Sequence, residues 1–208
     1  MNILIVDDHD LVRGGLSRIV ADEFPLATIQ EVSGGMQAEK LARTMNWSLI
    51  VMDMSMPDKT GIDVLKQLRT EGIKIPVLII SIHPENQYAI RVLKAGANGY
   101  ITKDCPRANF IKAVQTILNG KKYISEDVAE KLASRLDGEE GKEQHELISD
   151  RELQVMKLIA SGKTVSEIAI ELSLSVPTIS TYRQRLLEKM NLKNNAELTH
   201  YAISNHLI

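Results

Sequence analysis

The chain has 208 residues, of which 44% are hydrophobic and 25% charged, and a formal net charge of −2. That is an ordinary globular composition, enough for one or two domains at roughly 100–200 residues each. No apolar run approaches the ~20 residues that cross a bilayer, apolar residues 3–6 stop at Asp7 with no basic segment before them, and Cys105 is the single cysteine. One cysteine excludes an intrachain disulfide and a cysteine-based zinc cluster, and with no apolar span or leader pattern in these residues a cytoplasmic protein is expected.

In chain order, short apolar runs at 2–6, 27–32, 48–52, 76–81 and 99–102 alternate with segments at 10–22, 36–45, 61–71, 86–95 and 107–119. The latter place apolar residues three and four apart, as Val64, Leu65 and Leu68 do. Strands that alternate with helices predict βαβ units and a parallel sheet. Right-handed crossovers then put helices on both faces. Five such strands suit a flavodoxin-like sheet of order 2-1-3-4-5, whose ligand crevice lies at the carboxyl ends of strands 1 and 3. The α/β unit is expected over 1–121.

Residues 122–146 change character. Glu126–Leu136 has the pattern of a short helix, and 137–143 is polar and acidic, so this stretch reads as a linker. Charge is uneven: residues 1–124 carry +2, 125–146 carry −5 and 147–208 carry +1, with +3 concentrated in 175–193. From 147 to 208 the strand signals stop. Ser149 with Glu152 forms a capping box that opens a helix to about Ala160. Thr164 with Ser166 and Glu167 opens a second helix at 166–172. A turn at 173–175 leads to a third at about 177–190, with Pro177 tolerated in its first turn, and 194–205 makes a fourth. Two short helices joined by a tight turn, the second polar and basic, describe a helix-turn-helix.

The chemistry of the first unit sits at strand ends. Asp7 and Asp8 close the first strand, Asp53 the third, Ser81 the fourth, and Lys103 follows the fifth. In a parallel sheet those ends share one edge. Carboxylates that close repel one another, and a bound Mg2+, which takes oxygen ligands and keeps a phosphate oxygen, relieves the repulsion. Asp53 can then act as nucleophile toward a phosphoryl group and form an acyl phosphate. The cation and Lys103 would neutralise the equatorial oxygens, Ser81 would donate to one of them, and a backbone carbonyl near Ser55 would add a metal ligand. A Mg2+-dependent phosphatase with the same nucleophile is an alternative. It would need a carboxylate as general acid two residues after Asp53, where the chain has Ser55. A nucleotide-binding module is a third reading, but no glycine-rich phosphate loop follows the first strand.

Residues 5–9, 52–57 with Gly61, and 94–103 closely resemble the receiver domain of bacterial response regulators. The resemblance implies that Asp53 is the phosphoacceptor, that Asp7 and Asp8 hold Mg2+, that Ser81 and Lys103 bind the phosphoryl group, and that Tyr100 is an aromatic switch moving with Ser81. Asp104 stands where many receivers have proline. His83 is expected to be a solvated loop histidine.

The C-terminal segment resembles the LuxR-type domain of the NarL/FixJ family, on residues 151–155, 160–163, 167–169, 175–180 and 187–190, and most nearly the branch containing BvgA and GacA. Helical period places Ile179, Leu186 and Met190 inward. Ser180, Thr181 and Gln184 form an exposed face suited to base edges. Thr178, Tyr182, Arg183, Arg185, Lys189 and Lys193 are better placed for phosphates, which position without specifying. The implied protein is a two-component transcription factor. Its expected partners are a sensor histidine kinase, double-stranded promoter DNA, RNA polymerase, and a second copy of itself once phosphorylated, through the receiver or through the last helix around 198–203.

Overall fold

The computed structural model describes residues 1–136, 145, 147–205 and 207–208, apart from the side chains of residues 86, 87, 131 and 134–136. It divides into two compact units, Met1–Asp137 and Gly138–Ile208.

In the first unit five strands alternate with five helices. These are β1 (Asn2–Val6), α1 (Asp10–Glu23), β2 (Thr28–Val32), α2 (Gly35–Ala42), β3 (Leu49–Asp53), α3 (Gly61–Thr70), β4 (Val77–Ser81), α4 (Glu85–Lys94), β5 (Gly99–Thr102) and α5 (Arg107–Leu118). The sheet is parallel and ordered β2-β1-β3-β4-β5, as expected. β3 and β4 are buried at every position and β1 at all but its first, since both sheet faces are covered. β2 lies at an edge, which explains its polar Gln30 and Glu31. Ile3, Ile5, Leu49, Val51, Leu78 and Ile80 meet Val20 of α1 and Phe110, Ala113, Val114 and Ile117 of α5 in one core. The alternating residues Leu4, Val6, Ile50, Met52 and Ile79 point the other way and are equally buried. Register keeps the strand ends level: Val6 pairs with Met52, Asp53 with Ile80, and Ser81 with Thr102.

Two expectations are refined. The second helix ends at Ala42, short of 45. Arg43 and Thr44 tighten onto the carbonyls of Lys40 and Leu41, and the Trp47 indole also takes the Leu41 carbonyl at 2.9 Å. Second, α6 (Glu126–Leu136) forms where a linker helix was expected but packs on α4. Val128 is buried there, Ser125 Oγ hydrogen-bonds Glu85, and the Tyr123 amide donates to the Asn98 carbonyl at 2.8 Å. The helical half of the linker therefore belongs to the first unit. The acidic half, 137–144, lies outside the described residues.

The second unit holds α7 (Asp150–Ala160), α8 (Val165–Glu171), α9 (Val176–Lys189) and α10 (Asn195–Ser204). The capping box at Ser149 and Glu152 is formed, and a second one joins Thr164 to Glu167. α7 stops at Gly162, whose φ of +88° favours glycine. Ile179, Leu186 and Met190 are buried, as the helical period requires, on a helix that packs against α7 and α8. Among the described residues no helix is long and apolar enough to cross a membrane.

Candidate functional site

The carboxyl edge of the first unit brings the predicted groups together. Asp7 is fully buried, Asp53 is 2% exposed, and Ser81 is buried at the end of β4. Lys103 reaches across from β5. Its Nζ lies 2.8 Å from Asp7 Oδ2 and 2.9 Å from Asp53 Oδ2. The Ser55 amide donates to Asp53 Oδ1 at 3.3 Å, which keeps that loop folded over the carboxylate. Gly61 makes the close turn possible. A Cβ there would sit 2.2 Å from the Asp53 carbonyl oxygen, so only glycine lets α3 start against the strand end.

Charges here are unbalanced. Burial pushes the Asp53 carboxyl up to about 6; the Lys103 ammonium opposes that rise and the Asp7 carboxylate adds to it. Burial pulls the Lys103 ammonium down, but its attraction to the Asp7 and Asp53 carboxylates outweighs this and holds it above its ordinary value. Asp7, Asp8, His9 and Asp53 each offer one ligand atom, all within 4.8 Å of one another. Asp7 Oδ2 and Asp8 Oδ1 are buried and accept no hydrogen bond among the described residues. Lys103 Nζ lies 2.8 Å from the first and His9 Nδ1 lies 3.0 Å from the second. Crowded carboxylate oxygens with spare lone pairs suit a hard divalent cation such as Mg2+.

Two residues not singled out from the sequence support this edge. The His9 amide donates to Asp7 Oδ1 at 2.8 Å. Arg13, a turn into α1, donates to the Asp7 carbonyl at 2.8 Å while Asp10 and Glu31 hold its other nitrogens. In the sequence it reads as one more cation of an amphipathic helix, with no signal that ties it to Asp7.

The β4–α4 loop is tied at three points. Ser81 Oγ accepts from the His83 amide at 3.1 Å, and the buried Tyr100 hydroxyl donates to the His83 carbonyl at 2.7 Å. The His83 ring stacks on Tyr88 of α4, with centroids 4.8 Å apart. His83 is thus half-buried in a stack, which corrects the expectation of a solvated loop histidine. No cis peptide occurs among the described residues, so the bond before Asp104 is trans.

In the second unit α9 presents the predicted polar face. Thr178, Thr181, Tyr182 and Arg185 line one shallow depression beside Pro177. Ser180, Arg183, Gln184 and Lys193 line a second on the other flank. Ser175 caps the helix through the Thr178 amide. Thr181 Oγ1 folds back to the Pro177 carbonyl at 3.0 Å, Arg183 Nε holds Asn195 Oδ1 at 2.7 Å, and Gln184 pairs with Glu188 at 2.9 Å. Lys189 departs from the set. Its Nζ lies 2.9 and 2.8 Å from the two oxygens of Glu152, on α7.

Comparison with known proteins finds a family match for each of the two units. The model described as "Response regulator receiver domain" matches residues 3–115, and "Bacterial regulatory proteins, luxR family" matches 146–202. The chain is similar to "Response regulator UvrY" of Escherichia coli strain K12, at 35% identity over 208 residues, covering all of this chain and 95% of that one. It is similar to "Response regulator GacA" of Pseudomonas viridiflava at 32% identity, covering 100% and 98%. Its fold resembles that of RcsB from Salmonella enterica serovar Typhimurium bound to promoter DNA in the presence of a phosphomimetic, with a TM-score of 0.58 at 23% identity over 97% of each chain.

Proposed function

Because this chain belongs to the two-component response regulators that join a receiver domain to a LuxR-type DNA-binding domain, in the GacA-like branch of the NarL/FixJ family, we propose that Asp53 is its phosphoacceptor and α9 its recognition helix. The observation that carries the first assignment is the convergence of Asp53, Asp7 and Lys103 within hydrogen-bond reach at one sheet edge.

Asp7, Asp8, the Asp53 carboxylate and the Ser55 carbonyl would hold Mg2+, which supplies charge neutralisation for the phosphoryl oxygens. At neutral pH Asp53 is ionised, since its carboxyl titrates near 6. One of its oxygens attacks the phosphorus of a phosphohistidine or of acetyl phosphate. The O–P bond forms as the P–N or P–O bond breaks, and the leaving group takes the bonding pair. Lys103 then has a phosphoryl oxygen to bind beside Asp53. Ser81 turns its hydroxyl to donate to another, and this movement shifts the oxygen that the His83 amide now binds. The ties from Ser81 and Tyr100 to His83 make that loop the first element to respond.

Downstream, Ser180, Thr181 and Gln184 face base edges, and Thr178, Tyr182, Arg183, Arg185 and Lys193 face phosphates. A sensor histidine kinase supplies the phosphoryl group. Promoter DNA is the target, which places the work in the cytoplasm, with RNA polymerase alongside. Phosphorylated chains pair on half-sites about one helical turn apart. The test is intact mass after acetyl phosphate and Mg2+. Wild type gains one phosphoryl group and Asp53→Asn gains none; normal labelling of that variant would sink the assignment.

A further inference from the structure

We propose that Glu152 and Lys189 form a positioning pair that sets the angle of α9 for reading bases, and that Lys189 does not touch the DNA backbone. The proposal rests on α9 being the DNA-facing helix.

Sequence alone puts Lys189 among the phosphate contacts, because it is a basic residue near the end of a basic helix. The structure spends it elsewhere. Both carboxylate oxygens of Glu152 lie within 2.9 Å of its Nζ. Glu152 is 2% exposed. The same carboxylate accepts the Ser149 amide at 2.6 Å and so caps α7. Burial pushes this carboxyl upward, yet the bonds from Lys189 and Ser149 outweigh it and hold it below the usual range. A phosphate that drew Lys189 away would leave a buried carboxylate without its cation, which is a strongly unfavourable exchange. The ammonium is therefore committed to α7.

Its place on the helix gives the pair leverage. Ser175 fixes the start of α9 and Lys189 fixes its last turn. Ser180 lies nine residues before Lys189, about 13 Å along the axis at 1.5 Å per residue. A tilt of about 5° about the Lys189 end moves Ser180 by about 1 Å, enough to break a base hydrogen bond. Phosphate contacts from long, flexible arginine and lysine side chains absorb the same shift.

The test uses the full chain and two duplexes: one selected by the wild-type protein from a random-sequence library, and a scrambled version of it. Dissociation constants are read across a KCl series for wild type, Lys189→Met, Glu152→Gln and Lys189→Arg. Met keeps the lysine's apolar stem, and Gln keeps an oxygen for the Ser149 amide. For Lys189→Met and Glu152→Gln alike, Kd for the selected duplex should rise about tenfold, the loss expected when one base contact is misplaced. Kd for the scrambled duplex and the salt slope should stay as in wild type, and Lys189→Arg should restore most of the affinity. A slope reduced by about 0.9 with both duplexes weakened would mean a phosphate contact and overturn the proposal. Unchanged affinity for both duplexes, in variants shown to be folded by circular dichroism, would reduce the pair to a purely structural role and overturn it as well. If Lys189→Met fails to fold, Glu152→Gln decides by the same readings. Arg185→Ala, measured alongside, tests the DNA-facing reading of α9 separately: an unchanged slope there would remove the premise and leave the pair's geometry untouched.

Discussion

Lys103 stands between Asp7 and Asp53 at nearly equal distances, 2.8 and 2.9 Å, so one ammonium serves two buried carboxylates. That shared charge does not offset the burial of Asp53, and the nearby Asp7 carboxylate adds to the cost. A carboxyl raised from 3.8 to about 6 disfavours its ionised form by roughly 3 kcal/mol. The sign follows from the order of titration. Below pH 3.8 the group is protonated in both the folded and the unfolded chain and costs nothing. As pH rises from 3.8 toward 6 the unfolded chain ionises first, and stability is lost. Above 6 the loss is complete. Asp53→Asn should therefore stabilise the metal-free first unit at pH 7. The gain should be about 1–2 kcal/mol once the loss of a Lys103 partner is set against it, and it should shrink toward pH 4. Urea melts at the two pH values measure it; a variant less stable than wild type at pH 7 would contradict the account.

Mg2+ should have the opposite preference. It answers the crowding of Asp7, Asp8 and Asp53, so it should raise the melting temperature of wild type by mass action on the folded state. Asp8→Asn, which removes a carboxylate from the cluster without disturbing the Lys103 pairings, should lose most of that rise. Thermal melts with and without Mg2+ check both statements.

Gly61→Ala should be costly although it changes no charge. The new methyl would lie 2.2 Å from the Asp53 carbonyl oxygen, so the loop must move and take the nucleophile's backbone with it. Overpacking of this kind costs about 1–3 kcal/mol. A displacement of about 1 Å at a reacting group can slow the chemistry on the order of a hundredfold. Phosphorylation by acetyl phosphate should accordingly slow far more than stability alone would suggest. Equal rates for variant and wild type would show that the loop relaxes without moving Asp53.

Arg185 is exposed on the face of α9 that carries Thr178, Thr181 and Tyr182. Arg185→Ala should weaken DNA binding on any sequence and lower the salt slope by about 0.9, the signature of one lost phosphate contact. The measurement is fluorescence anisotropy over a salt series.

Much of this is legible in the sequence. The alternation of five apolar runs with helical segments prescribes the sheet, and a parallel sheet brings its carboxyl ends to one edge, so Asp7, Asp53, Ser81 and Lys103 converge from topology alone. What the chain does not spell out is pairing between elements distant in sequence. Nothing in the periodicity of α9 says that Lys189 belongs to Glu152, 37 residues earlier. The apolar face of α6 is visible as a pattern around Val128, but its partner α4 is not. Arg13 looks like one more surface cation of an amphipathic helix until the Asp7 carbonyl appears beside it. Each of these is a contact in three dimensions with no repeat to announce it.

The helix starts carry one further consequence, for the order in which the two units fold. Every helix from α7 to α10 is capped by a side chain at its own N-terminus: Ser149, Thr164, Ser175 and Asn194. In the first unit only α3 has such a cap among α1 to α5, from Thr60, while α2 borrows Asp58 from a loop more than twenty residues on. The second unit can therefore nucleate its helices from neighbouring residues. The first must close long loops and pair parallel strands before its helices have anything to rest on, and contacts of that kind fold slowly. The C-terminal unit, though last off the ribosome, is built to be the quicker of the two to reach its native form.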